Sequence, residues 1–239
     1  MNFVKFLIVF FFASVLITSC EIEPVDRASL PENGGGTSTG DYWPTAINNQ
    51  WVFKMDGVLQ SPIKMISINT INANAYYTFN QIVGTGLGFT VSGIQRLRKS
   101  NGDYFIKMEI LSSPAQGPIP GFTMTGYETI ILKDYLAVGG TWTDKYSQTT
   151  TYSDPNFPVI SVDFDILGTV MEKNSSISIA GRNYTDVIKI KYIQKVTMAG
   201  QAVTATSYYW YSKNVGPIKM TTETGGQTTV QELDSYIVK

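Results

Sequence analysis

The chain of 239 residues contains no histidine and a single cysteine, Cys20. Without histidine, Ser-His-Asp and Cys-His catalysis are excluded, as are the usual zinc sites. A single cysteine allows no disulfide within the chain. Any catalytic site would have to depend on carboxylates, lysine, tyrosine or serine. The sequence predicts no catalytic residue, no cofactor and no metal ligand.

Charged residues are also scarce. Asp, Glu, Lys and Arg make up 15% of the chain, with a net charge of −1, against a usual share of about 25%. Such a surface carries no basic patch that would attract nucleic acid or an anionic lipid surface. We therefore expect a protein that is not an enzyme and that has no nucleic-acid partner.

The amino terminus has the layout of a secretion signal. Lys5 precedes a mostly apolar run from Phe6 to Ile17, and Thr18-Ser19-Cys20 follow. The run is too short for an ordinary transmembrane helix, which needs about 20 apolar residues. The segment has no Ala-x-Ala type of cleavage site. Instead, a cysteine follows the apolar run after two small polar residues, Thr18 and Ser19.

The segment Leu16-Ile17-Thr18-Ser19-Cys20 resembles the lipobox of bacterial lipoproteins. The resemblance implies that residues 1–19 are removed and that Cys20 is lipidated. It also implies that lipid on Cys20 anchors the protein to the outer membrane of a Gram-negative bacterium, facing the periplasm or the cell surface. Two or three acyl chains anchor a protein stably, whereas one binds marginally. The alternative is a secreted protein with an unmodified cysteine.

Residues 20–40 predict a flexible tether. They show no apolar periodicity and contain Pro24, Pro31 and three consecutive glycines at 34–36. From Asp41 onward the chain changes to short alternating runs, so we expect one antiparallel β domain over residues 41–239.

Alternation of apolar and polar residues identifies the strands. Tyr104, Ile106 and Met108 share one face of a segment, and Ile188, Ile190 and Tyr192 share one face of another. One-sided alternation is typical of antiparallel sheets with one solvated face. Turn pairs separate the strands, at Asn101-Gly102, Asn174-Ser175, Ala180-Gly181 and Gly225-Gly226. We predict an all-β fold of ten to twelve strands: an extended curved antiparallel sheet, a half-open barrel or a sandwich.

Two segments of the domain echo each other. Ile47-Asn48-Asn49-Gln50-Trp51-Val52 parallels Val138-Gly139-Gly140-Thr141-Trp142-Thr143, and an Asp-Tyr pair precedes each. A turn of small residues that leads into a Trp-headed strand twice predicts two related halves.

The motifs DYWPTAINNQWVF and YYWYSKNVGPIKM resemble the opening and closing motifs of uncharacterised lipoproteins of Bacteroidota and related bacteria. In this chain they comprise Trp43-Pro44 followed by Trp51-Val52-Phe53, and Tyr208 to Tyr211 followed by Val215-Gly216-Pro217-Ile218-Lys219. The resemblance covers most of residues 41–239. It implies an extended antiparallel β protein and no particular chemistry.

One pair of carboxylates keeps a hydrolase as an alternative. Asp163 and Asp165 lie two residues apart on one strand face, and a glycosidase needs only two suitably spaced carboxyl groups. The structural alternative is a solvated face whose acidic residues lie opposite the lysines 189, 191 and 195. We favour the structural interpretation.

Aromatic residues supply the candidate binding sites. In the run 208–211, Tyr209 and Tyr211 share one face, and Tyr76 lies in a second aromatic pair. We take Tyr209, Tyr211 and Tyr76 as candidate ligand-binding residues, with cross-strand packing as the structural alternative. The sequence thus favours a non-enzymatic binding or interaction module whose partner is a glycan, an apolar ligand or an envelope protein. A carrier or chaperone for an apolar ligand in a half-open barrel is the alternative.

Overall fold

The structure is a computed structural model that describes residues 36–80, 82–86, 89–118 and 120–239, without the side chains of residues 82–91. The predicted signal peptide and the lipidation of Cys20 lie outside the described residues. Across the part that is described, no helix has the length and apolar character that crossing a membrane requires. The described residues form seventeen strands: β1 (Gln50–Met55), β2 (Val58–Leu59), β3 (Ile63–Ile71), β4 (Asn74–Phe79), β5 (Ile82–Gly86), β6 (Phe89–Gly93), β7 (Gln95–Ser100), β8 (Asp103–Met108), β9 (Leu111–Ser113), β10 (Phe122–Met124), β11 (Tyr127–Lys133), β12 (Thr141–Tyr152), β13 (Ile160–Ile179), β14 (Arg182–Met198), β15 (Gln201–Ser212), β16 (Gly216–Thr224) and β17 (Gln227–Ile237).

All strand pairings are antiparallel. Strands β12 to β17 form a meander, β17 pairs with β1, and the order continues through β3, β4, β7 and β8 to β11. A branch runs from β12 through β10, β9 and β6 to β5. The prediction of an all-β, open antiparallel sheet is confirmed. The predicted number of strands, ten to twelve, was too low, in part because β2, β9 and β10 have only two or three residues.

The sheet curves until β11 approaches β12, but side chains rather than a backbone ladder join these two strands. The backbone N–H of Ile130 donates to Asp144 Oδ2 at 2.8 Å, and the hydroxyl of Thr129 donates to the same oxygen at 3.0 Å. The indole N–H of Trp142 donates to the carbonyl of Ile130 at 3.3 Å. Both backbone polar groups of Ile130 that face β12 are therefore satisfied by side chains, while β11 pairs with β8 on its other edge.

Of the four predicted turn pairs, only Asn174-Ser175 does not form a turn between two strands. Asn101 and Gly102 both have positive φ, as do Ala180 and Gly181, which two-residue hairpin turns of the primed type require. Asn174 also has positive φ, but it lies inside the 20-residue strand β13, where the register with β14 shifts. The turn predicted at Asn174-Ser175 was wrong. The left-handed residue forms a bulge, and the strand continues beyond it.

The internal echo has a matching geometry in both copies. Asn48 and Gly139 both have positive φ, at 73° and 85°. Asn49 N–H donates to the carbonyl of Ala46 at 3.0 Å, and Gly140 N–H donates to the carbonyl of Ala137 at 2.9 Å. Each turn leads into a strand headed by a buried tryptophan, Trp51 in β1 and Trp142 in β12. The two segments therefore form the same turn and strand entry.

The last residues of the predicted tether contact the β domain. Ser38 Oγ donates to Asp134 Oδ2 at 2.7 Å, and the backbone N–H of Thr39 donates to Asp134 Oδ1 at 3.1 Å. The hydroxyl of Thr39 donates to the carbonyl of Asp134 at 3.0 Å, and Asp134 is fully buried. A buried carboxylate therefore holds the end of the Thr/Ser segment, three residues before the predicted start of the domain at Asp41.

Candidate functional site: a tyrosine-lined interior cavity

Side chains on the concave side of the curved sheet line a cavity of about 330 Å³ that is partly open to solvent. Ten strands contribute side chains to its wall: β1, β3, β7, β8, β11, β12 and β14 to β17. Trp43, from the segment before β1, completes the wall. The lining residues are Trp43, Trp51, Phe53, Ile63, Gln95, Ile106, Tyr127, Thr129, Ile131, Tyr146, Tyr192, Gln194, Tyr209, Tyr211, Pro217, Lys219, Met220 and Gln231.

Apolar and aromatic side chains form one part of the wall. The rings of Trp43 and Trp51 meet edge to face with centroids 6.2 Å apart, and Trp43 also lies 6.3 Å from the ring of Tyr211. The indole N–H of Trp51 donates to the carbonyl of Val215 at 2.7 Å, which fixes the ring. Edge-to-face and tilted contacts of this kind hold the aromatic rings of the wall in fixed orientations.

Tyrosines on four strands form another part of the wall. Tyr127 in β11 stacks on Tyr146 in β12 at 4.2 Å across the junction that Asp144 bridges, and Tyr146 stacks in turn on Phe164 at 4.5 Å. Tyr192 in β14 and Tyr209 in β15 meet edge to face at 5.9 Å. The alternation of residues along each strand sends all four tyrosines to the concave face.

Hydroxyl groups of this part form hydrogen bonds in two separate sets. Gln194 Nε2 donates to the hydroxyl of Tyr146 at 3.2 Å, and the hydroxyls of Tyr192 and Thr129 lie 3.2 Å apart. Thr129 in turn donates to Asp144 Oδ2 at 3.0 Å. We call Tyr127, Thr129, Tyr146, Tyr192, Gln194 and Tyr209 the hydroxyl cluster.

Burial keeps these tyrosines in their neutral form. It raises the pKa of Tyr127, Tyr146, Tyr192 and Tyr209 above the ordinary value. Neighbouring tyrosines add to the rise in pKa for Tyr146, Tyr192 and Tyr209, because a second tyrosinate nearby would be repelled. Burial also raises the pKa of Tyr211 well above its ordinary value. The hydroxyls therefore remain available as uncharged hydrogen-bonding groups throughout the physiological range.

Charge is almost absent from the described lining. Lys219 is the only charged residue in the described lining, and its ammonium lies beside Trp210 on the other face of the sheet, where Nζ donates to Glu232 Oε1 at 2.7 Å. Asp144 lies behind the wall and accepts hydrogen bonds on both carboxylate oxygens: Thr129 and Ile130 donate to Oδ2, and Lys145 N–H donates to Oδ1 at 2.8 Å. The cavity thus offers uncharged polar groups and apolar surface.

Two of the three predicted ligand-binding residues, Tyr209 and Tyr211, lie in the cavity wall. Tyr76 does not. It is buried outside the cavity, with its hydroxyl donating to Glu128 Oε2 at 2.7 Å and the guanidinium of Arg98 near its ring. Sequence reasoning did not select Tyr127, Tyr146 and Tyr192 as site residues. The alternation of Tyr192 with Ile188 and Ile190 predicts burial, but no local pattern predicts that the three tyrosines share a cavity.

The two candidate hydrolase carboxylates lie away from the cavity. Asp163 accepts a hydrogen bond from Ser147 Oγ at 2.6 Å, and Asp165 forms an ion pair with Lys145 at 2.5 Å. Asp165 also lies opposite Lys195 of β14, as the structural interpretation expects. Their contacts are those of polar residues on a solvated sheet face.

Comparison with known proteins supports the fold. Residues covering 83% of this chain superpose on 99% of a protein from Parabacteroides distasonis ATCC 8503 that is named as a lipoprotein, with a TM-score of 0.54 and 16% identity. An exported protein with a YmcC-like fold from Bacteroides fragilis NCTC 9343 aligns over 83% of this chain and 99% of its own, with a TM-score of 0.48 and 10% identity. No family model and no curated protein matches the sequence. At such low identity, the first likeness shows a shared fold.

Proposed function

We propose that the domain binds a small apolar ligand in the interior cavity and carries or retains it in the cell envelope. The cavity carries this proposal, since it combines aromatic and aliphatic walls with a few convergent hydroxyl groups. Ligand sites commonly have volumes of about 300–1,000 Å³ and this mixture of lining groups. A volume of about 330 Å³ suits a small ligand or one end of a longer one.

Packing energetics support the same proposal. Protein interiors are close-packed, and apolar surface is stabilised when it is removed from water and contacted on all sides. A ligand that lies between Trp43, Tyr209 and Met220 would add such contacts to the folded protein. Ligand binding should therefore raise the melting temperature as well as give a measurable affinity.

The location in the envelope is part of the proposal. We propose that Cys20 is lipidated after removal of residues 1–19 and that the protein is held at the outer membrane. The lipobox-like segment Leu16 to Cys20 supports this, and so does the shared fold with a protein named as a lipoprotein. Intact-mass analysis of the protein expressed in a Gram-negative host, with Cys20→Ala as the control, tests it. A mass that begins at Cys20 and includes acyl groups is expected, and an unlipidated mass would overturn this part.

We also propose that the protein is not an enzyme. The chain lacks histidine, and the carboxylates Asp163 and Asp165 form structural contacts on a solvated face. Hydrolysis of glycosides by the purified protein that Asp163→Asn abolishes at an unchanged melting temperature would overturn this statement.

A glycan-binding surface has weaker support. Tyr208 and Trp210 lie on the convex face, with ring centroids 6.3 Å apart, but Lys189 lies within cation–π distance of both rings and Lys219 of Trp210. The rings therefore already have partners where a sugar would stack.

Native mass spectrometry of the protein purified from cell envelopes tests the binding proposal. We expect a noncovalent adduct of a small organic molecule that is released on unfolding. The variant Met220→Trp, which places a bulky ring in the cavity, should lack the adduct, whereas Thr221→Trp on the opposite face of β16 should retain it. An adduct that persists in Met220→Trp would contradict binding in the cavity.

A further inference from the structure

Six polar side chains of the lining form the hydroxyl cluster, while Gln95, Gln231, Lys219 and Tyr211 lie outside it. Tyr127, Tyr146, Tyr192 and Tyr209 come from four strands and line the same cavity, with ring centroids 4.2 Å apart in the first pair and 5.9 Å apart in the second. Phe53, Ile63 and Ile106 line the cavity with hydrocarbon alone. A ligand with one polar end and one apolar end would match this division.

The electrostatic environment of the hydroxyl cluster disfavours an anionic end. The nearest charged group in its hydrogen-bond network is the carboxylate of Asp144, which is linked to the hydroxyl of Tyr192 through Thr129. Lys219 is already paired with Glu232. A carboxylate or phosphate in the cavity would lose its hydration without gaining a counter-charge, and that desolvation is costly.

The same network offers little to a cation. Asp144 accepts three hydrogen bonds, two on Oδ2 and one on Oδ1, so its charge is already compensated by donors. Pulling the carboxylate toward a cation would break the contact with the Ile130 N–H that joins β11 to β12. The hydroxyls of the tyrosines, by contrast, can donate to or accept from an uncharged group.

From this geometry, and resting on the proposed function, we infer that the ligand is an uncharged amphiphile. Its apolar part lies against the tryptophan side of the wall, and its hydroxyl, carbonyl or ether group meets the hydroxyl cluster. The site therefore selects against fatty acids and other anionic lipids in favour of neutral ones.

Competition between three amphiphiles with the same tail tests the inference. The neutral fluorophore N-phenylnaphthylamine serves as the reporter, and octanol, octanoate and octyltrimethylammonium compete with it at pH 8. We expect octanol to displace the reporter at concentrations at least about tenfold lower than either ion, which corresponds to about 1.4 kcal/mol. Equal or stronger displacement by octanoate or by the ammonium compound would overturn the inference.

A pair of tyrosine variants locates the selectivity. Tyr209→Phe removes one hydroxyl from the cavity while keeping the ring, and Tyr208→Phe makes the same change on the opposite face of β15. We expect Tyr209→Phe to weaken octanol several-fold and to leave the reporter unchanged, with no effect of Tyr208→Phe. Equal octanol affinity in both variants would contradict the role of the cluster.

If the reporter itself does not bind the wild-type protein, the proposed function fails, and not merely the inference about charge.

Discussion

Met65 and Val170 occupy equivalent positions opposite two copies of one turn. Met65 N–H donates to the carbonyl of Asn49 at 2.9 Å and its carbonyl accepts from Asn48 N–H at 2.9 Å. Val170 does the same with Gly140 at 2.9 Å and Gly139 at 2.8 Å. Both residues are buried in the core. The two turns are thus matched in conformation, in hydrogen bonding and in the residue that each one faces.

The matched turns predict which substitutions position 139 tolerates. Gly139 has a φ of 85°, and a Cβ added there would meet no described atom within 4 Å, so the cost of a side chain comes from the backbone conformation. Gly139→Asn should cost little, because Asn48 adopts the same region. Gly139→Val should lose about 1–2 kcal/mol, since left-handed backbone is unfavourable for branched residues. Urea unfolding of both variants measures this difference, and equal losses would contradict the equivalence of the turns.

Asp144 should hold the junction between β11 and β12. Asp144→Ala removes the acceptor for the Ile130 N–H and the Thr129 hydroxyl, and we expect a loss of about 1–3 kcal/mol of unfolding free energy. Asp144→Asn retains one acceptor oxygen and should cost less. Hydrogen exchange at the Ile130 amide reports the junction directly. Unchanged protection of that amide in Asp144→Ala would contradict this role.

Gly168 should be intolerant of any side chain. A Cβ on Gly168 would overlap the buried ring of Trp142, which lies opposite it in the pairing of β12 with β13. Gly168→Ala should therefore destabilise the protein by about 1–3 kcal/mol through overpacking. Trp142→Phe removes part of the ring, so the double variant should lose less than the sum of the two single losses. Strictly additive losses would argue against this contact as the cause.

Stability should fall at alkaline pH. Burial raises the pKa of Tyr127, Tyr192, Tyr209 and Tyr211 in the folded protein, so above pH 10 the unfolded chain loses tyrosine protons that the folded chain keeps. The unfolded state then binds fewer protons, and the unfolding free energy decreases as pH rises. The stabilisation is complete below pH 10 and is lost above it.

Melting temperatures between pH 8 and 11, with tyrosinate absorbance followed in parallel, measure this effect. Tyr211→Phe should flatten the decline because it removes one of the buried titrating groups. Tyr208→Phe, which lies on the other face of the same strand, is the control. A decline of equal steepness in all three proteins would contradict the assignment to the buried tyrosines.

The strands could be predicted from sequence because alternation with a period of two is a local property. Tyr104, Ile106 and Met108 are buried on one face of β8 as expected. A curved sheet was one of three architectures predicted, and the sequence could not select it because the curvature depends on pairings such as β17 with β1 and on the Asp144 contacts between β11 and β12. The cavity depends on that curvature. Runs of aromatic residues in the sequence therefore predicted Tyr76 and Tyr209 equally as ligand-binding residues, although of these two only Tyr209 lines the cavity.

A titration with N-phenylnaphthylamine tests the central claim most directly, namely that the interior cavity binds an apolar ligand. The account predicts saturable fluorescence enhancement with one site for the wild-type protein and for Thr221→Trp, and loss of that enhancement in Met220→Trp, with all three proteins folded by circular dichroism. Enhancement that is absent from the wild type, or that is the same in Met220→Trp, would contradict the claim.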